Sequence, residues 1–274
     1  LLVEAMSKVP DVPQSAVQMI ETRAEVVDML KEEKYIHLIV PRGSNAFVKY
    51  IQENTKIPVL GHSEGVCHGY IDQFADLDMA IRLCLDAKLQ YPAVCNAMET
   101  LLVHKNFAEK VLPDLVEKFR EKQVELVGCV KTCKVTPEVS PACESDWDLE
   151  YNDLKLSIKI VDGFSEAVKF INKHGSGHTD MIVTENRERA EQFLNEVSSA
   201  NVMWNASTRF ADGFKYGLGA EIGISTNRTH ARGPVGLEGM VIYKYKLYGN
   251  GQIVADYSGD NAGEFTHKPL TPPL

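Results

Sequence analysis

The chain has 274 residues, 44% of them hydrophobic, with 19 Gly and 12 Pro, which suits one large domain or two modest ones and excludes collagen-like and disordered classes. Its 29 basic against 38 acidic side chains give a formal charge of −9, so no nucleic-acid partner is expected and an anionic ligand must be held by a local cluster rather than by the overall field. The longest apolar runs are far too short for a transmembrane segment, no charged-then-apolar targeting segment opens the chain, and its start at Leu1-Leu2-Val3, without Met, suggests part of something longer.

Strand and helix signals then alternate. Thr22-Arg23-Ala24-Glu25 reads as a capping box in front of a helix carrying Val26, Val27, Met29 and Leu30. An apolar run at 35–40 has strand character and breaks at Pro41-Arg42-Gly43-Ser44, after which 45–53 looks helical. Strands are expected at 57–60 and 66–71, and apolar residues at 77, 80, 81, 84 and 85 mark one face of a helix. The middle continues with a strand at 99–104, a helix at 107–122 that contains Pro113, and a strand at 124–127. Periodicity fails over 128–148, which reads as a surface loop. Segments 156–161, 165–173, 180–184, 187–198 and 202–205 restore the rhythm, so the fold class is α/β with a mainly parallel sheet flanked by helices. From 206 to 239 the chain is rich in Gly, Arg and His and reads as site-building loop. Tyr243, Tyr245 and Tyr248 around Lys244 and Lys246 suggest an edge strand, available to a second subunit.

Six cysteines stand at 67, 84, 95, 129, 133 and 143. No C-x-x-C pair occurs and no His accompanies the trio 129, 133 and 143, so no metal site is expected. A core of this size argues against disulfides. Cys84 on the helix stripe and Cys67 in a strand read as core. Cys95, in the turn Tyr91-Pro92-Ala93-Val94-Cys95-Asn96, reads either as an accessible nucleophile or as a small buried hydrophobe. Pro41-Arg42-Gly43-Ser44 could hold an anion at the start of a helix or be an ordinary cap. His174 before Gly175 fits a helix C-cap, whereas His178 could donate to an anion or orient an acid. Arg209 and Arg232, each in a polar loop, suit a carboxylate or phosphate, or surface ion pairs.

Four strings are specific together: Tyr91-Pro-Ala-Val-Cys95-Asn-Ala-Met-Glu-Thr-Leu-Leu, Lys173-His-Gly-Ser-Gly-His-Thr-Asp180, Asn205-Ala-Ser-Thr-Arg-Phe-Ala-Asp-Gly213, and Gly217-Leu-Gly-Ala-Glu-Ile-Gly-Ile-Ser-Thr226 followed by His230-Ala-Arg-Gly-Pro-Val-Gly236. With them the chain resembles the gamma-glutamyl phosphate reductases (glutamate-5-semialdehyde dehydrogenases) of the aldehyde dehydrogenase superfamily, from about residue 14 to 248. The tail looks like that of the bifunctional delta-1-pyrroline-5-carboxylate synthases, which implies a fused glutamate 5-kinase. The resemblance implies an aldehyde dehydrogenase-like fold: residues 1–60 as the end of a partial Rossmann-type cofactor domain, 61–242 as a catalytic domain, and 243–274 as a tail that joins subunits of a homo-oligomer.

The implied reaction is NADPH-dependent reduction of gamma-glutamyl phosphate, in proline biosynthesis with ornithine synthesis left open. Cys95 attacks the acyl carbon and releases phosphate, and hydride from NADPH reduces the resulting thioester to glutamate-5-semialdehyde. The resemblance further implies a backbone N–H near Asn96 for the oxyanion, Pro41, Arg42, Gly43 and Ser44 as the cofactor loop, Glu150 on the nicotinamide ribose, and His178, Arg209 and Arg232 on the substrate. The glutamate that activates hydrolytic water in typical aldehyde dehydrogenases falls at Val59, which favours acyl-phosphate reduction unless Glu64 enters the site. A generic semialdehyde dehydrogenase and a non-catalytic assembly fragment are the alternatives. Because the implied cofactor domain begins well upstream, these residues alone are expected to be inactive. The compartment follows the form: mitochondrial for the bifunctional animal type, otherwise cytoplasmic.

Overall fold

The structure, a computed structural model, describes residues 1–61, 64–228, 230–260 and 262–268, with Gln14 described by its backbone alone. His62, at the end of the 58–62 stretch that contains Val59, lies outside the described residues. Three helices come first: α1 (Leu2–Met6), α2 (Arg23–Met29) and α3 (Asn45–Asn54). The capping box forms as expected, Thr22 Oγ1 accepting the Glu25 N–H at 3.3 Å and Glu25 Oε2 accepting the Thr22 N–H at 2.8 Å. Ser44 caps α3 by accepting the Phe47 N–H at 3.4 Å. The strands expected at 35–40 and 57–60 shrink to one parallel bridge between Ile39 and Val59. Two short segments with no third strand beside them among the described residues cannot extend a ladder. Leu30, Ile39, Ile51 and Ile57 close around this bridge as a small core of their own.

The body then alternates as the periodicity indicates: β1 (Cys67–Ile71), α4 (Leu77–Leu89), β2 (Met98–His104), α5 (Lys105–Glu121), β3 (Glu125–Gly128), α6 (Val130–Val135), β4 (Ser140–Pro141), β5 (Lys155–Val161), α7 (Phe164–His174), β6 (Thr179–Val183), α8 (Arg187–Glu196) and β7 (Asn201–Trp204). These seven strands pair in parallel in the order β4-β3-β5-β2-β1-β6-β7. Alternate residues point to opposite faces: Ile71, Leu101, Val103 and Met181 pack with α4 and α5, whereas Tyr70, Leu102, Val161 and Ile182 pack with α7 and α8. Both faces being covered, β1, β2 and β6 are buried at every position.

Two expectations are corrected. Segment 128–148 is not a plain loop: it holds α6, β4 and a 3-10 turn at Glu144–Asp148. Thr132 Oγ1 donates to Ile158 O at 3.0 Å, and Val139 and Trp147 are buried. Pieces this short carry no readable period. After β7 come a 3-10 turn (Thr208–Phe210) and a two-stranded antiparallel pair, β8 (Gly223–Ser225) with β9 (Gly233–Val235). Residues 1–240 make one compact unit and 241–274 another. In the second unit no strand forms at 243–248, and Tyr243, Tyr245 and Tyr248 are exposed. Alternation alone does not make a strand; a ladder partner does. No helix of the described residues is long and apolar enough to cross a membrane.

Candidate active site

Parallel order places three chain entries side by side. The segments leading into β1, β2 and β5 carry Gly65, Cys95, and Glu150 with Asn152 respectively, and those strands are neighbours in the order β5-β2-β1. The site is therefore at the amino ends of the strands, opposite to the usual position of ligands in open α/β sheets. Cys95 stands in a turn closed by Ala97 N–H to Val94 O at 2.9 Å. Its carbonyl accepts the buried Cys67 Sγ–H at 3.2 Å, and Asn96 Nδ2 donates to Ala211 O at 2.8 Å, so both sides of the turn are tied down. Gly65 is required here: a Cβ would lie 2.4 Å from Cys95 O and 2.7 Å from Glu150 Oε1.

Cys95 lines a cleft of about 310 Å³ together with Pro41, Arg42, Gly43, Leu60, Gly61, Glu150, Asn152 and residues 222–225. The cleft lies between the amino ends of the sheet and the turns that leave the Ile39–Val59 bridge. Gly43 turns the chain at φ 151°, and a Cβ there would meet Phe47 at 2.9 Å. Arg42 Nη2 donates to Ile222 O, clamping the strand-forming segment of β8 against this turn. Burial pushes the Cys95 thiol up to about 11, and the carboxylates of Glu150 and Glu221 add to the rise while Arg42 opposes it. Glu221 is held by accepting the Gly213 N–H at 2.8 Å.

A nicotinamide cofactor is compatible with these residues. Its volume places the cleft in the range of ligand sites, a carboxylate and a guanidinium flank its mouth, and Gly43 and Gly61 keep the wall by Pro41 free of side chains. Among the described residues no group of three or more His, Cys, Asp or Glu could hold a metal ion.

Of the residues singled out in the sequence, Cys95, Pro41, Arg42, Gly43 and Glu150 come together on this cleft. Ser44 does not line it but caps α3. Asn96 is buried with its side chain committed to Ala211 O. The three substrate candidates do not line this cleft. His178 is fully buried, its Nδ1 2.8 Å from Thr179 Oγ1 and 3.7 Å from Cys67 Sγ. Arg209 lines a separate depression and donates from Nε to Gln90 Oε1 at 2.9 Å. Arg232 lines a third, beside Arg228 and His230, and donates to Ser198 O. Glu64 is exposed and does not line the Cys95 cleft. Gly65, Asn152 and Glu221 were missed as individual residues. The only advance signal was a Gly, an Asn and a Glu in loops, which is too common to single them out.

Residues 1–145 match the aldehyde dehydrogenase family model. The chain is 58% identical over 258 residues to a gamma-glutamyl phosphate reductase of Acetivibrio thermocellus, covering 94% of this chain and 59% of that protein. It is 55% identical over 275 residues to the one of Methanococcoides burtonii, covering 98% of this chain and 61% of that protein. The crystal structure of gamma-glutamyl phosphate reductase from Thermotoga maritima superposes with a TM-score of 0.89 at 43% identity, over 92% of this chain and 61% of that one. The chain thus spans about six-tenths of the length of these relatives. Sharing its fold with that structure and more than half of its length with the family model, the chain belongs to the aldehyde dehydrogenase family.

Proposed function

We propose that this chain carries the nucleophile of an NADPH-dependent gamma-glutamyl phosphate reductase acting in proline biosynthesis. The observation that carries the reading is the meeting of Cys95, Glu150 and the Arg42–Gly43 turn on one cleft; the high identity to reductases of that name supports the substrate.

At neutral pH a thiol near 11 is almost wholly protonated, which protects it from adventitious oxidation until substrate arrives. Cys95 Sγ attacks the acyl carbon. A C–S bond forms, the C–O bond to phosphate breaks, and the thiol proton leaves with the phosphate. The backbone N–H at Asn96 donates to the oxygen that becomes negative, and Arg42 favours the thiolate. The nicotinamide cofactor, when bound, supplies the hydride. Reduction of the thioester to glutamate-5-semialdehyde would break the C–S bond, and Cys95 Sγ would take a proton from water to become the thiol again. Glu150 orients the cofactor ribose. Val59 packs beside the small core around Ile39, so no carboxylate at that position activates water against the thioester. Residues 1–60 act as part of a cofactor domain, for which their separate small core speaks, and the tail joins subunits.

The test uses full-length protein, run in reverse with glutamate-5-semialdehyde, phosphate and NADP. Cys95→Ala should lower the rate by at least about 10³-fold. Unchanged phosphate-dependent turnover in that variant would overturn the assignment. Wild-type turnover that needs no phosphate would instead favour a hydrolytic semialdehyde dehydrogenase.

A further inference from the structure

Behind the Cys95 turn lies a buried ion pair to which the reaction gives no task. Lys88, in the last turn of α4, and Glu99, the second residue of β2, are both 0% exposed, with Lys88 Nζ 2.7 Å from Glu99 Oε2. The other oxygen, Glu99 Oε1, accepts the Asn152 N–H at 3.4 Å. Asn152 is left-handed at φ 55° and lines the Cys95 cleft together with Glu150. One line of contacts therefore runs from α4 through β2 to the turn that enters β5, which lines the same cleft as the thiol.

Stability alone is a poor reason for this arrangement. Removing two charges from water costs several kcal/mol per ion, and well-packed apolar replacements are often as stable or more so. Burial pushes the Glu99 carboxyl up and the Lys88 ammonium down, and each is opposed in this chiefly by the charge of the other across their short contact. What an apolar pair could not supply is an acceptor for the Asn152 amide. A left-handed Asn in an exposed turn has many alternatives, and this bond selects one.

We propose that Lys88 and Glu99 are a positioning pair: Lys88 orients the Glu99 carboxylate, whose free oxygen anchors the Asn152 turn and thereby sets Glu150 against the Cys95 thiol and the ribose of the cofactor. The role assigned to Glu150 rests on the function proposed above.

Two double variants of the full-length protein separate positioning from packing. Lys88→Met/Glu99→Gln keeps an oxygen acceptor for Asn152, and Lys88→Met/Glu99→Met removes it; neither leaves an unpaired charge. The measurements are the melting temperature, iodoacetamide labelling of Cys95 at pH 8 followed by mass spectrometry, and NADPH affinity by fluorescence titration. Both variants should melt close to wild type. The Met/Met variant should label about threefold faster or more, because Glu150 no longer holds the thiol protonated, and should bind NADPH about tenfold more weakly. The Met/Gln variant should return both values to within about twofold of wild type, since the acceptor is restored. Wild-type labelling and affinity in the Met/Met variant would overturn the proposal, as would a Met/Gln variant no better than Met/Met. Amide exchange on the wild-type protein needs no variant: a protected Asn152 N–H is expected, and one that exchanges as a free surface amide would overturn the anchoring. Labelling and exchange are read without substrate, so a wild-type protein that fails to reduce gamma-glutamyl phosphate counts against the function alone.

Discussion

Burial above all holds the Cys95 thiol protonated, with the charges of Glu150 and Glu221 adding to this and that of Arg42 opposing it. Burial and the two Glu charges favour the neutral thiol, so the labelling rate of Cys95 should climb about tenfold per pH unit until the pH nears the thiol's own value, about 11. Glu150→Gln removes one of the two opposing charges and should speed labelling at pH 8 by roughly 3- to 10-fold, whereas Arg42→Met should slow it by a similar factor. Equal rates in all three proteins would show that these charges do not govern the thiol. At this scale the sequence was partly legible. The turn around Cys95 left a nucleophile and a small buried hydrophobe both open until the resemblance favoured the first, and Arg42, Arg209 and Arg232 all lay in loops with no sign of which would share its cleft. Of the three, Arg42 lines the cleft of the thiol, its turn folded against the segment at Ile222, while Arg209 is bonded to Gln90 and Arg232 to Ser198.

Elements were legible where burial imposes a period. Helix α4 shows its apolar stripe because one face meets the sheet, and β1, β2 and β6 read as short apolar runs because both of their faces are covered. The same packing predicts the cost of disturbing it. Leu115→Ala, in the fully buried face of α5, should lower unfolding free energy by about 2–5 kcal/mol in denaturant titration. Gly65→Ala acts differently. Its Cβ would meet the Cys95 carbonyl, a backbone atom that cannot swing aside, so the turn itself must shift. Activity should fall by about 10²-fold with a smaller change in melting temperature, and a fully active Gly65→Ala protein would contradict the geometry. The pieces that escaped sequence reading, α6 and β4, are too short to display a period and are held by tertiary contacts such as Thr132 to Ile158 O.

For the whole molecule, all three apolar cores fall within residues 1–240. Ending the full-length protein after Met240 should leave its helical circular-dichroism signal largely in place, while the mass measured by sedimentation should drop if the tail joins subunits; an unchanged oligomer would assign assembly to another surface. Local chemistry determined much of this protein from the sequence alone: where helices begin, which residues enter the core, and the α/β class. Those properties depend on residues a few positions apart, through hydrogen bonds at caps and the periods of helix and strand. Strand order was decided only by tertiary structure. Whether the segments before β1, β2 and β5 lie side by side depends on pairings between residues far apart in the chain. That adjacency brings Gly65, Cys95, Glu150 and Asn152 onto one cleft and leaves His178, Arg209 and Arg232 off it, because side chains meet through packing of the folded chain and not through their spacing along it.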